Sequence, residues 1–263
     1  MSAIVRVHGG LGNQIFQVFY ARMYADKYGL TLREVYDGSY YHGFERSPAL
    51  AAAPEPTNLE KFVSALRIPK FLNKAHLSSE RPIRIFGSTY LDAYFQTVTS
   101  YAEFGDAEIK KHLRRLAAEF GIRSASNDQT LLHIRLGDFF KTRESALEHA
   151  VGRLRRADEN SAIMTNDEAL FKDPVLLRLL DEKKCKIITT ERLEPEIVLR
   201  LMATFRQINA NDSTLIFWAS VLGGCKINLN NNTLIHTHEY FTARYNPRDL
   251  ERDATTSHEK THF

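Results

Sequence analysis

Leu131-Leu132-His133-Ile134-Arg135-Leu136-Gly137-Asp138-Phe139 reads as a buried β-strand, Thr130 to Ile134, that ends in a turn at Gly137. A His and an Arg two residues apart on a strand project from the same face. Asp138, just past the turn, can return a carboxylate to that pair. An arginine at the carboxyl end of a strand in an α/β sheet lies where such sheets bind ligands. Its planar fork of donors suits phosphate oxygens better than a lysine ammonium does. The same residues also read as an Arg135–Asp138 salt bridge capping a strand, the commoner outcome for an arbitrary His-x-Arg-x-Gly-Asp.

Downstream, strands and helices alternate. The pattern predicts strand 130–134, helix 144–157, strand 161–165, helix 174–180 and strand 186–190, then helices 196–205 and 214–222 and strand 226–229. Such alternation implies a parallel sheet covered by helices. Small polar residues from Gly121 to Asn127 mark a domain boundary, giving 1–125 and 126–242. The charged tail 243–263 reads as disordered.

Upstream, Ala3-Ile4-Val5-Arg6-Val7 is a strand, followed by the glycine-rich turn His8-Gly9-Gly10-Leu11-Gly12-Asn13-Gln14. A helix then runs to about Tyr28, with Ile15, Phe16, Phe19 and Met23 at helical spacing and Gly29 as its stop. Strand, glycine turn and helix begin a Rossmann unit, whose helix-start N–H groups attract anions. As a dinucleotide fingerprint the turn fails, because Ile15 stands where the third glycine belongs and no clear strand-plus-acid follows. It is no Walker loop either, and on composition alone it reads equally as a tight βα connection. Residues 36–44 are aromatic and turn-rich, which suits a sugar or a buried Tyr/Phe loop. Residues 83–89 read as one strand. The run 107–120 reads as a helix with Ile109, Leu113 and Leu116 on one side and a solvated basic face on the other.

The 263 residues suffice for one large or two modest domains. A net charge of +3 is too small to argue for nucleic acid or an anionic membrane, yet it suits an anionic small ligand in one basic cleft. Cys185 and Cys225 match no zinc or redox spacing and read as two reduced thiols. No charged leader with an apolar run opens the chain, and no stretch approaches the roughly 20 apolar residues of a membrane span. A cytoplasmic location is expected. Neither an Asp-x-Asp at a strand end nor a His/Asp/Glu cluster at metal-ligand spacing is evident, so no metal and no resident cofactor is expected.

Four patches together resemble the bacterial α-1,2-fucosyltransferases of glycosyltransferase family 11. They are Gly9 to Gln17, Tyr94-Phe95-Gln96, His133 to Phe139, and Ser213 to Leu222; Thr165-Asn166-Asp167 adds a weaker fifth. The resemblance implies an α/β fold of the GT-B type, with two facing Rossmann-like domains built on parallel sheets. It implies inverting, metal-independent transfer of L-fucose from GDP-β-L-fucose to a sugar hydroxyl, an α-1,2 linkage to galactose being the family's type. The acceptor would be an oligosaccharide or lipid-linked glycan in surface-polysaccharide or glycan synthesis. Any membrane contact would come through that acceptor.

The resemblance gives the residues their roles. Arg135 would clamp the β-phosphate, and Asp138 would orient it or act as general base. His133 would lie against the nucleotide. Gly10, Gly12 and Asn13 would face the ligand from the first domain. Ser213 and Thr214 would donate to the diphosphate from a helix N-terminus. Asn166 and Asp167 would meet ribose or guanine, and Glu196 guanine. Asp37, His42 and Asp92 are the acceptor-side candidates. Two departures stand out: Asp212 places a carboxylate near the diphosphate motif, and Val198 occupies the family's guanine-binding Asp position, two residues past Glu196. A transferase for another GDP-sugar would share these contacts. A nucleotide-binding oxidoreductase is the alternative from another class, and a non-catalytic sugar-binding module is a third.

Overall fold

Five of the six residues of β1 (Ser2–Val7) are buried, so this strand lies inside a sheet rather than at its edge. The structure is a computed structural model that describes residues 1–37, 45–50, 53–66, 80–136, 140–210, 213–229 and 231–247. It contains two units: Met1–Gly121 with Asn232–Asn246, and Ile122–Asn231 with Pro247.

In the first unit β1 leads into α1 (Leu11–Tyr28), β2 (Thr31–Tyr36), α2 (Asn58–Ala65), β3 (Ile83–Ile85), β4 (Ser88–Leu91), α3 (Val98–Tyr101) and α4 (Asp106–Glu119). α1 stops at Gly29, whose φ of 60° supplies the left-handed residue that ends many helices. The sheet order is β2-β1-β4-β3, with β1 parallel to both neighbours and β3 antiparallel to β4.

Two expectations are corrected here. A strand followed by an acid does succeed α1, because β2 pairs with β1 along its length and Asp37 comes directly after it. Thr31-Leu32-Arg33-Glu34-Val35-Tyr36 is too charged to announce itself; its buried Glu34 is neutralised by Arg46 at 2.6 Å. The single strand expected over 83–89 is a hairpin, folded by Phe86 (φ 48°) and Gly87 (φ 79°), both in the left-handed region that two-residue hairpin turns require.

In the second unit β5 (Asn127–Ile134), α5 (Arg143–Arg155), β6 (Ala162–Thr165), α6 (Pro174–Glu182), β7 (Lys186–Thr189), α7 (Pro195–Ala203), β8 (Phe205–Asn209), α8 (Thr214–Gly223) and β9 (Lys226–Ile227) follow one another. All five strands are parallel, in the order β7-β6-β5-β8-β9. The expected α/β class with Rossmann-like parallel sheets is thus what the chain forms. Leu132 and Ile134 pack against Ala146, Ala150 and Leu154 of α5 and against Leu176 and Leu180 of α6.

β8 differs from expectation, since Phe205 ends no helix. Its alternation is poor: Phe205 and Ile208 are buried and Arg206 and Gln207 exposed, which is closer to a helical spacing. Tertiary pairing overrides it. The N–H groups of Ser126 and Asn127 bind the Thr204 carbonyl at 3.0 and 2.9 Å and lay the chain against β5. α7 and α8 then pack so closely that a Cβ on Gly223 would lie 2.5 Å from the Ala203 carbonyl oxygen.

The last helix, α9 (Asn232–Thr242), lies in the first unit, where the sequence reading had assigned 232–242 to the second. Phe241 packs edge-on against Tyr101 and Phe19, with centroids 4.8 and 5.6 Å apart. Thr237 Oγ1 donates to the Gln96 carbonyl at 2.7 Å. Within the tail expected from 243, Tyr245 is buried rather than disordered; residues 248–263 lie outside the described residues. Both cysteines are free thiols. Among the described residues no helix is long and apolar enough to cross a membrane.

Candidate functional site

In an open α/β sheet the ligand crevice forms where successive strands start to be laid down on the other side, beyond their carboxyl ends. In the second unit the chain goes outward from β5 to β6 and β7, then returns to place β8 on the opposite flank of β5. The switch therefore lies between β5 and β8. Arg135 follows β5 there, and Ser213 and Thr214 open α8 after β8. Asn166 and Asp167 follow β6, the next strand over, and Glu196 is in the first turn of α7 beyond β7. With neighbouring strands about 4.8 Å apart, the β6-β5-β8 edge spans roughly 10 Å, a width suited to a phosphorylated nucleoside.

These residues have distinct local tasks. Ser213 is the N-cap of α8 but its hydroxyl makes no capping hydrogen bond, and no acidic residue sits in the first turn. Asn166 Oδ1 accepts from the Leu136 N–H at 3.0 Å, which pins the turn carrying Arg135. Asp167 Oδ1 accepts from Leu170 N–H at 2.8 Å and so serves as a local cap. Asn166 and Asp167 thus have structural employment in addition to any ligand contact. Asp138, His42 and Asp212 lie outside the described residues.

His133 sits on β5 just before Arg135. Burial, and then the nearby Arg135 and Arg153 guanidinium groups, push its pKa down to about 4. The ring is therefore neutral near pH 7, able to offer one acceptor and one donor to a ligand. The sign of the linkage follows. Between about pH 6.5 and pH 4 the unfolded chain binds a proton that the folded chain refuses, so stability rises with pH and is lost on acidification. Burial lowers His112, His149 and His238 in the same direction. We expect the melting temperature to fall steadily from pH 7 to pH 4.5 and His133→Gln to flatten part of that slope. A pH-independent melting temperature over this range would contradict the assignment.

The first unit repeats the geometry. β1 leads to β2 on one flank and later to β4 on the other, so its switch lies between β1 and β4. Arg6, His8, Asp92 and Tyr94 are at those strand ends. Asp37 and Asp92, both acceptor-side candidates, converge on Arg6: Asp37 Oδ2 is hydrogen-bonded to Nη2, and Asp92 Oδ2 is 3.6 Å from Nη1. All three side chains are largely buried. Sequence reasoning missed Arg6, although an arginine inside Ala3-Ile4-Val5-Arg6-Val7 is itself a signal, because such a charge must find a carboxylate.

The glycine turn is fastened from within. Gly9 has φ 78°, and an added Cβ would lie 3.1 Å from Asn13 Nδ2. Gly10 is the N-cap of α1, and Gly12 is buried in its first turn. Asn13 Oδ1 accepts from Gln96 Nε2 at 3.0 Å, joining two of the motif patches. Gln14 donates to the carbonyls of Gly9 and Glu45 at 2.8 Å each and accepts from Ser47 N–H at 3.0 Å. Gln17 Oε1 accepts from the His8 N–H at 3.0 Å, and the His8 ring meets Tyr94 edge-on at 4.9 Å. The opening motif thus holds its own turn in shape, and it does so at the carboxyl edge of the sheet.

No family model matches the chain, and no curated protein matches it. Similar solved structures include a mutant of Arabidopsis thaliana FUT1 in complex with GDP, at 11% identity and TM-score 0.48, covering 88% of this chain and 71% of that one. NodZ alpha-1,6-fucosyltransferase of Bradyrhizobium, co-crystallized with GDP, is similar at 15% identity and TM-score 0.44, over 88% and 94% of the two chains. E. coli heptosyltransferase WaaC with ADP is similar at 11% identity and TM-score 0.41, over 89% and 90%.

Proposed function

We propose that the chain is a GDP-sugar glycosyltransferase of the GT-B type that transfers L-fucose from GDP-β-L-fucose to a sugar hydroxyl. We assign it the α-1,2 linkage to galactose that its motifs resemble, in glycan or surface-polysaccharide synthesis. The acceptor oxygen attacks the anomeric carbon from the face opposite the diphosphate and inverts the centre. The bond from that carbon to the β-phosphate oxygen breaks, GDP departs with the electron pair, and the acceptor proton passes to a general base, a carboxylate or an imidazole. The observation that carries the reading is that Arg135 follows β5 while Ser213 and Thr214 open α8 after β8, the two strands that flank the switch. A guanidinium, a hydroxyl pair and a helix N-terminus following those two strands are donors suited to the negative charge that develops on a leaving diphosphate. Such preorganised donors can replace a divalent cation in steadying GDP.

Asp138 would orient Arg135. Asp37 and Asp92, engaged by Arg6 and buried, hold the first sheet's edge together. Asp37 also bears on the oxidoreductase alternative. It follows β2 where a ribose-binding acid belongs, but its carboxylate is already bonded to Arg6 and the third glycine is missing.

Thermal shift tests the reading. GDP at about 100 times its dissociation constant should add about 2.7 kcal/mol of stability, without added metal and in EDTA, whereas UDP and NAD should add nothing. A shift with NAD and none with GDP would discard the proposal. GDP-fucose against GDP-mannose in a transfer assay separates fucose from another GDP-linked sugar.

A further inference from the structure

A cavity of about 250 Å³ lies within the second unit, over the β5/β8 boundary, lined by Leu132, Arg153, Arg156, Ala157, Asn209, Ala210 and Asn228. Leu132 and Asn209 are register partners on the two strands, so their side chains leave the same face of the sheet. α5 supplies Arg153 near its end, and Arg156 follows as its C-cap. Two polar groups in this wall are buried without a hydrogen-bond partner: the Nε and Nη2 atoms of Arg153, and Asn209 Oδ1.

Arg153 is half-buried overall, yet two of its guanidinium nitrogens are shut off from water, which is costly unless something anionic meets them. Among the described residues Arg153 has no carboxylate; its electrostatic neighbours are Arg156, His149 and His133, none of them an anion. The cavity therefore asks for a group that accepts from Arg153 and also donates to Asn209. A bare anion satisfies only the first demand. A phosphate ester with a neighbouring hydroxyl satisfies both, and 250 Å³ admits a phosphate with one sugar ring.

We propose that this cavity is a phosphate-ester site, with Arg153 as its anion anchor, Arg156 as a second cation in its wall and Asn209 reading an adjacent hydroxyl. The ligand is either a nucleoside phosphate or a hexose phosphate; the two share the chemistry and differ in what hangs from it. None of its residues belongs to the motif patches that carry the fucosyltransferase reading, so the site stands whether or not that reading does.

The test is calorimetric titration of the full chain with AMP, which the GDP site should not take, with glucose 1-phosphate and with inorganic phosphate, repeated on Arg153→Met and Asn209→Asp. At least one ester should bind the wild type more tightly than inorganic phosphate does and lose about 10-fold or more in Arg153→Met, the scale of one charge-assisted hydrogen bond. Arg153-dependent AMP binding alone places a nucleotide in the cavity, and Arg153-dependent glucose 1-phosphate binding alone places a sugar phosphate there. Both variants should keep or raise the melting temperature, because one removes an uncompensated buried charge and the other gives it a carboxylate. A merely structural Arg153 would instead lower the melting temperature and leave every titration unchanged. Ester binding that survives Arg153→Met, or no ester binding at all, overturns the proposal. GDP binding that persists in Arg153→Met while ester binding is lost separates the two sites.

Discussion

Arg135→Ala should lower transfer from GDP-fucose by on the order of 10²-fold or more while the far-ultraviolet spectrum and melting temperature stay near wild type. The size follows from what a preorganised donor does when charge moves onto a leaving group: its worth is greatest in the transition state and modest in the ground state. The loss should therefore fall mainly on kcat and only weakly on the KM for donor. Arg135→Lys should recover part of it, because a point charge keeps the sign of the field but not the fork. An independent signature comes from His133. Arg135 is one of the charges that depress that imidazole, so its removal should raise the His133 pKa from about 4, observable by NMR titration of the ring. Near-normal turnover in Arg135→Ala would remove the phosphate-clamp role whatever the other residues do.

The second large effect is on stability. Arg6→Met leaves Asp37 and Asp92 facing each other's charge in a largely buried position, with side-chain exposures of only 16% and 4%. Breaking a buried ion pair from one side costs about 3–5 kcal/mol, most of it the desolvated charge left behind. Denaturant unfolding should show a loss of that order. Adding Asp37→Asn and Asp92→Asn to Arg6→Met should restore a good part of it, since neutral amides tolerate the site better than carboxylates do. If Arg6→Met costs under about 1 kcal/mol, the cluster is solvated and is not the clasp of the first sheet's edge.

Much of this architecture could be read from residue order. β1, the glycine turn and α1 announce themselves by a short aliphatic run, the glycines at 9, 10 and 12 and the helical spacing of Ile15, Phe16 and Phe19. β5 does so by its apolar run into His133 and Arg135, and the alternation after it gives a parallel sheet. What stayed hidden shares one cause, namely that tertiary partners compensate a locally poor pattern. β2 carries Arg33 and Glu34, and its acidic side chain is acceptable inside only because Arg46 arrives from outside the strand. β8 has the spacing of a helix and becomes a strand because β5 and β9 pair with it. The motif residues fall at the two switch points, which no local pattern encodes, since strand order is a property of the sheet. Arg153 and Asn209 were missed for the same reason. They stand 56 positions apart in the chain and meet only because Leu132 and Asn209 are in register.

The path of the backbone has a bearing on biosynthesis. Residues 122–231 supply the second unit in one run, Pro247 being its one later described residue, whereas the first unit waits for Asn232–Asn246 to supply Phe241 beneath Phe19 and Tyr101. On a ribosome the later-encoded half can fold as soon as it emerges, while the earlier-encoded half is held incomplete until nearly the whole polypeptide has been made. The aromatic cluster of Phe19 and Tyr101 is then the surface on which a nascent chain is most exposed to chaperones. A stop codon anywhere between 232 and 241 would leave it uncovered for good.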